Sequence, residues 1–334
     1  MDIFALAQQL FRHMTADKNT LYVLCPFNIG DFLINGGLCH ALLKKKRKRA
    51  CVLIERDRFA NCGLNFVGVK KVRYIPLMVM DLVRQYIMAT CEFETDNFIY
   101  GHFHSLGNIK DWVAVHAWNP KLSFVNRWEE NVPGLPLDTE VIPPLINPLA
   151  DFQKQRLHET YVLDKERTII IMPYNTNGTF EDAFWIKLVS EIKQKKKGCV
   201  LYTNVANSRE KVIPGTSPLV TTFQELTYIA DKVNCFIGMR SGIFDLLAFT
   251  NAKLLYMNWD IENWWFFDLN LNFNHTNSRA FYLLSALEQK NLRAFMQQNN
   301  ITSLDNVISR GRVSGKDMVF DKNSLIEKVV SAVD

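Results

Sequence analysis

Along the chain, short apolar runs alternate with stretches whose apolar residues recur at helical spacing. Met1 to Met14 carries an amphipathic helix pattern, with Asp2 near its start, and does not read as a signal peptide. Thr20 to Cys25 (TLYVLC) reads as a strand ended by Pro26, and Phe32 to Leu43 is apolar at helical spacing. Ala50 to Glu55 (ACVLIE) is the next strand, which a right-handed crossover would lay parallel to the first. Tyr74 to Met80, Asn97 to Tyr100 and Trp112 to Trp118 are weaker strand candidates.

Between Asn131 and Pro148 lie five prolines and Gly134, a composition that marks an extended linker and divides the chain into 1–150 and 151–334. Beyond it the pattern restarts. Thr168 to Met172 (TIIIM) is a strand ended by Pro173, followed by a polar loop, Tyr174 to Thr179. A helix then runs through Phe184, Trp185, Leu188, Val189 and Ile192, stopped by the lysines before Gly198. Cys199 to Tyr202 is a strand with Thr203 and Asn204 at its C-terminal edge, and Pro218 to Thr221 a short one. Phe223 to Lys232 is a helix capped by Thr222, with Glu225 in its first turn. Val233 to Ile237 and Lys253 to Met257 are strands, with a helical segment between them from Ile243 to Phe249. Ser278 to Gln298 and Asn323 to Val333 carry helical patterns. Strand, loop and helix repeated in this way predict an α/β chain of two Rossmann-like, doubly wound domains.

Composition narrows the class. A chain of 334 residues is long for one core, and 48% hydrophobic with 22% charged residues is globular. The net charge of +5 is modest and much of it sits in Lys44 to Arg49, so nucleic acid is not an expected partner. That run closes a helix, where cations complement the dipole. Its other reading is attraction to anionic headgroups, at about 1 kcal/mol per residue near a surface. The seven cysteines are odd in number and contain no C-x-x-C pair, which fits reduced core residues of a cytoplasmic protein. No apolar stretch approaches the roughly 20 residues that span a bilayer. The expected place is the cytoplasm, with peripheral contact at the inner membrane's cytoplasmic face.

Candidate chemistry collects at the C-terminal ends of predicted strands, where open α/β sheets bind ligands. Arg240-Ser241-Gly242 joins a strand to a helix: Ser241 suits an N-cap, Gly242 admits a ligand to the backbone, and Arg240 offers donors for phosphate oxygens. Taken in isolation, the same residues read more readily as a capped helix with an exposed arginine. Asp31 stands where the first strand gives way to its helix, as a crevice-edge carboxylate or as a cap. His102 and His104 form an H-x-H pair without an acidic or thiolate partner, so no metal is expected and substrate contact fits better. Trp259, Trp264, Trp265, Phe266 and Phe267 suit a core plug or a stacking surface.

Two stretches carry a family resemblance. Asn28-Ile-Gly-Asp31 resembles the N-terminal G-D turn of the heptosyltransferase-like superfamily of GT-B glycosyltransferases. Ile169 to Ala248 resembles that family's C-terminal donor block. Arg240-Ser-Gly stands where heptosyltransferases usually carry D-T-G, and Asp245 where they carry a histidine. An arginine there is similar to one that some fucosyltransferases place on the donor β-phosphate. The resemblance implies two GT-B domains facing across a cleft and metal-independent sugar transfer without a cofactor. The sugar would pass from a nucleotide diphosphate donor to an acceptor hydroxyl, in bacterial surface glycan or glycoprotein assembly. The acceptor would be a glycan, lipid-linked or protein-linked. Asp31 would be the general base and Arg240 would stabilise the leaving diphosphate. Tyr174, Asn175, Thr176, Thr179, Asn204, Glu225, Ser241, Gly242 and Asp245 would line the donor, and Asn28, His102 and His104 the acceptor. Two alternatives stay open: a non-catalytic GT-B-like partner or binding module, and a nucleotide-sugar epimerase.

Overall fold

The computed structural model describes residues 2–25, 29–57, 63–92, 94–101, 141–175, 178–205, 210–258, 275–286 and 317–333, with 289, 290, 293, 294 and 297; Asp31 is described by its main chain alone. The described residues form two compact units, 2–101 with 141–147 and 148–333. Each is built on its own parallel sheet.

The first unit opens with α1 (Ile3–Met14), capped by Asp2, whose carboxylate accepts from the Phe4 N–H at 3.1 Å. Strands β1 (Thr20–Cys25), β2 (Ala50–Arg56), β4 (Val69–Ile75) and β5 (Phe98–Tyr100) pair in the order β4-β2-β1-β5, all parallel. Ala7, Phe11 and Met14 of α1 and Met80, Val83, Tyr86 and Ile87 of α3 (Leu77–Thr90) close over one face, on Tyr22, Leu24, Ile54 and Phe98. Helix α2 (Ile29–Lys46) packs on β1 and β2, bringing Cys39 to 3.2 Å from Cys51.

Three expectations are corrected here. Tyr74 to Met80 is not a strand: β4 ends at Ile75 and Pro76 starts α3, because proline cannot continue a ladder but suits a helix start. Helix α2 begins at Ile29, ahead of Phe32, so Asp31 lies inside its first turn and is not the cap. The end of the proline-rich stretch is also not free linker. The Ile142 N–H donates to Gly37 at 3.1 Å, and β6 (Leu145–Ile146) pairs antiparallel with β3 (Leu64–Asn65). The Trp112 to Trp118 candidate, the prolines at 133 and 136, and the aromatic run from Trp259 to Phe267 lie outside the described residues.

The basic run has a structural job. Lys46 pairs with Glu94 and donates to the Thr95 carbonyl at 3.0 Å; Lys48 pairs with Asp96 at 2.5 Å and donates to Lys18 at 2.9 Å. These contacts pin the end of α2 to the turn before β5. No helix among the described residues is long and apolar enough to cross a membrane.

The second unit holds β7 (Thr168–Met172), β8 (Val200–Asn204), β9 (Ser217–Leu219), β10 (Cys235–Met239), β11 (Leu254–Asn258), β12 (Ser278–Leu283) and β13 (Met318–Val319). Their spatial order is β13-β12-β11-β10-β7-β8-β9, all parallel. The chain starts mid-sheet at β7, adds two strands on one side, then recrosses β7 to build the rest. Helices α5 (Asp182–Lys195) and α8 (Lys322–Ser331) cover the face carrying Ile169, Ile171, Ile237 and Leu255. On the other side, α4 (Asp151–Thr160), α6 (Phe223–Ala230) and α7 (Gly242–Leu247) cover Ile170, Met172, Phe236 and Tyr256. Burial on both faces explains the near-continuous apolar strands. Ser278 to Leu283, expected as helix, is strand β12. Phe281 enters one core and Ala280 the other, and β11 supplies the ladder.

At the crossing, Gly238 of β10 lies opposite Met172 of β7, and a Cβ there would run into the Met172 carbonyl. Gly238→Ala should therefore cost roughly 1–3 kcal/mol, typical of overpacking a full core. A lower urea midpoint with an unchanged slope is the expected readout.

Candidate functional site

The order reverses between β7 and β10, and the strands' C-terminal ends at such a reversal are the usual ligand position in sheets of this kind. Strand alternation decides which side chains share a face there. Tyr202 and Tyr256 point to the face covered by α6 and α7, so Asn204 and Asn258, two residues further along the same strands, do the same, and Arg240 meets α7 on that side through Asp245. Arg240 and Asn258 end neighbouring strands, about 5 Å apart. Asn204, Arg240 and Asn258 are all buried. The Asn258 amide nitrogen is buried without a hydrogen-bond partner among the described residues; a buried donor left unmet costs on the order of 1–3 kcal/mol.

Arg240 is held from every side. Its N–H donates to Met257 of β11 at 3.0 Å, and its carbonyl accepts from Asn175 Nδ2 at 2.6 Å, across the reversal. Its guanidinium donates through Nη1 to the Ser241 carbonyl at 2.6 Å and through Nη2 to Asp245. Arg240 and Asp245 side chains are only 6% and 8% exposed. Burial pushes the Asp245 carboxyl above the usual range, against the lowering by Arg240's charge and hydrogen bond. Ser241 is the N-cap of α7 by position, yet its side chain makes no capping bond. Gly242 is the first residue of that helix, which is only six residues long and so offers a weak dipole.

Other anticipated donor residues are engaged within the fold. The Tyr174 hydroxyl donates to the Lys211 carbonyl at 2.8 Å and accepts from its N–H at 2.9 Å. Thr179 Oγ1 accepts from the Trp185 indole at 3.0 Å. Glu225 closes a capping box, accepting from the Thr222 N–H at 2.8 Å, and pairs with Arg156. Thr176, Asn28, His102 and His104 lie outside the described residues. No group of three or more metal-ligating side chains occurs among the described residues.

The first sheet has the same reversal, between β1 and β5, with Asp31 in the helical turn after β1. The same end of this sheet carries an acidic residue that was not among the candidates. Glu55, level with Cys25 in the ladder, is fully buried at the C-terminal end of β2 and accepts from the Arg56 N–H at 2.7 Å. Its signal was an acidic residue closing an apolar strand.

Against known proteins, no family model and no curated protein matches the chain. Solved structures do. The chain is similar to the E. coli ADP-heptose lps heptosyltransferase II, with a TM-score of 0.51 at 10% identity, covering 94% of this chain and 98% of that one. It is also similar to the glycosyl transferase family 9 protein from Veillonella parvula DSM 2008, with a TM-score of 0.54 at 8% identity, covering 94% and 97%. With one four-stranded and one seven-stranded parallel sheet, the chain has the GT-B fold of the heptosyltransferases.

A buried histidine anchors the far end of α7. His275 Nδ1 faces the Ala248 carbonyl and Nε2 the Ala252 carbonyl, each at 3.1 Å. A neutral ring can donate to only one of them. Burial holds its pKa below the ordinary 6.5, outweighing the backbone hydrogen bonds to Ala252, Asn277 and Ala248. The unfolded chain then takes the proton more readily, so stability present above about pH 6.5 is lost as pH falls through the folded pKa. Denaturant midpoints should drop between about pH 7.5 and 5.5, and drop less in His275→Gln.

Proposed function

We propose that this protein is a glycosyltransferase that moves a sugar from a nucleoside diphosphate donor to an acceptor hydroxyl. One observation carries the reading: the strand-order reversal at β7 and β10 gathers Asn204, Ser241 and Asn258 beside a rigidly held turn, with a buried amide donor unmatched among the described residues. Such a reversal suits a nucleotide, and the GT-B fold supplies the chemical context. The similar heptosyltransferase II acts, by its name, on ADP-heptose, which supports a nucleotide-sugar donor here.

In this reading the donor diphosphate lies at the 240–242 turn, where hydrogen-bond donors stabilise the charge that develops as the glycosidic bond breaks. Asn204 and Asn258 orient it, and Asn175 holds the turn through the Arg240 carbonyl. Thr176 and Thr179, which follow β7 in the chain, would meet the phosphates or the sugar. Asp31, in the first turn of α2, takes the proton from the acceptor hydroxyl. Asn28, His102 and His104 would contact the acceptor, a glycan that is lipid-linked or protein-linked. The chemistry is metal-independent and belongs to surface glycan or glycoprotein assembly at the cytoplasmic face of the membrane.

Two measurements test this. A nucleoside diphosphate at 100 times its dissociation constant should add about 2.7 kcal/mol of stability in a thermal-shift screen, and no stabilisation by any base would remove the donor site. Asp31→Asn should leave that binding nearly unchanged while lowering transfer by about 10²–10⁴. Transfer at the wild-type rate would end the role of Asp31 as base. Activity should persist in chelator; recovery only with magnesium or manganese would refute the metal-free reading.

A further inference from the structure

The obvious role for a buried arginine beside a diphosphate is direct contact, but its surroundings oppose that. The Arg240 guanidinium is 6% exposed, and two of its nitrogens already meet Asp245 and the Ser241 carbonyl. Swinging it outward would strand the Asp245 carboxylate, itself 8% exposed, as an unpaired buried charge, which is costlier than keeping the pair. The main chain of Arg240 is fixed too, between Met257 of β11 and Asn175 after β7. The Ser241 carbonyl receives both the guanidinium and the Phe244 N–H, at 2.9 Å, so the side chain closes back on its own turn. Around this locked group, the Ser241 side chain makes no capping bond and the Asn258 amide nitrogen makes no bond at all among the described residues.

We infer that Arg240 is a positioning residue: with Asp245 and Asn175 it sets the geometry of the 240–242 turn, and the donor is met by Ser241 and Asn258 beside it. The inference rests on the donor reading above. It makes Asp245 a partner in binding, whereas a phosphate-gripping arginine would make Asp245 a competitor.

The test is calorimetric binding of ADP, GDP, UDP and CDP to the full chain and its variants, each checked for folding by circular dichroism. Arg240→Ala and Asp245→Asn should each weaken the nucleotide that binds best by about tenfold. The double variant should be no worse than either alone, as expected when two residues act as one unit. Arg240→Lys should behave like Arg240→Ala, because a point charge cannot bridge Asp245 and the Ser241 carbonyl together. If Asp245→Asn fails to fold, Asn175→Ala carries the same question by removing the bond to the Arg240 carbonyl, and it should weaken binding severalfold. Tighter binding by Asp245→Asn, unchanged binding by Asn175→Ala, or near wild-type binding by Arg240→Lys would overturn the inference while leaving the donor site standing. If none of the four nucleotides binds the wild type, the donor reading falls and the inference with it.

Discussion

The second unit depends on one close approach, that of β10 to β7. Because the chain begins mid-sheet and must return past its first strand, these two neighbours are joined by no local connection and meet through a ladder formed late in the sequence. Gly238 allows the contact, and the bond from Asn175 to the Arg240 carbonyl ties the two loops that follow. The candidate site is built on that junction: Arg240 and Asn258 come side by side, and helices α6 and α7 pack on the apolar face beneath them.

Much of this architecture was legible in the residues. Runs such as TIIIM and TLYVLC are bounded by proline and too short for helices, so their strands are easily read, and Thr222 with Glu225 marks a helix start unambiguously. The Arg240–Asp245 pair is also within reach of spacing, since Asp245 lies one turn past Ser241. Errors arose where local pattern competes with tertiary context. In Tyr74 to Met80 an apolar run straddles Pro76, so strand end and helix start blur together. Ser278 to Leu283 begins with Ser and Arg and reads as strand only because β11 waits beside it.

The site was harder to read than the fold, for a physical reason. Residue type announces what a side chain can do but not what already occupies it. Glu225, Tyr174 and Thr179 all have suitable chemistry and all have partners inside the unit. Asn175 joins a residue 65 positions away, a contact no periodicity encodes. Asn258 becomes interesting only when its amide is found buried and unmatched among the described residues.

The return of residues 141–147 to the first unit has a consequence for how the chain acquires its shape. Asn65 Nδ2 donates to Asn147 Oδ1 at 3.1 Å across 82 positions, and β3 and β6 pair over a similar span. Closing so large a loop is entropically expensive, though the cost grows only with the logarithm of its length. During synthesis the first sheet can assemble early, since all of its strands precede residue 101. Strand β3 at Leu64 and Asn65, and the surface of Gly37, must wait until residue 147 has left the ribosome. For that interval the nascent unit exposes an unpaired strand, the kind of surface that chaperones guard.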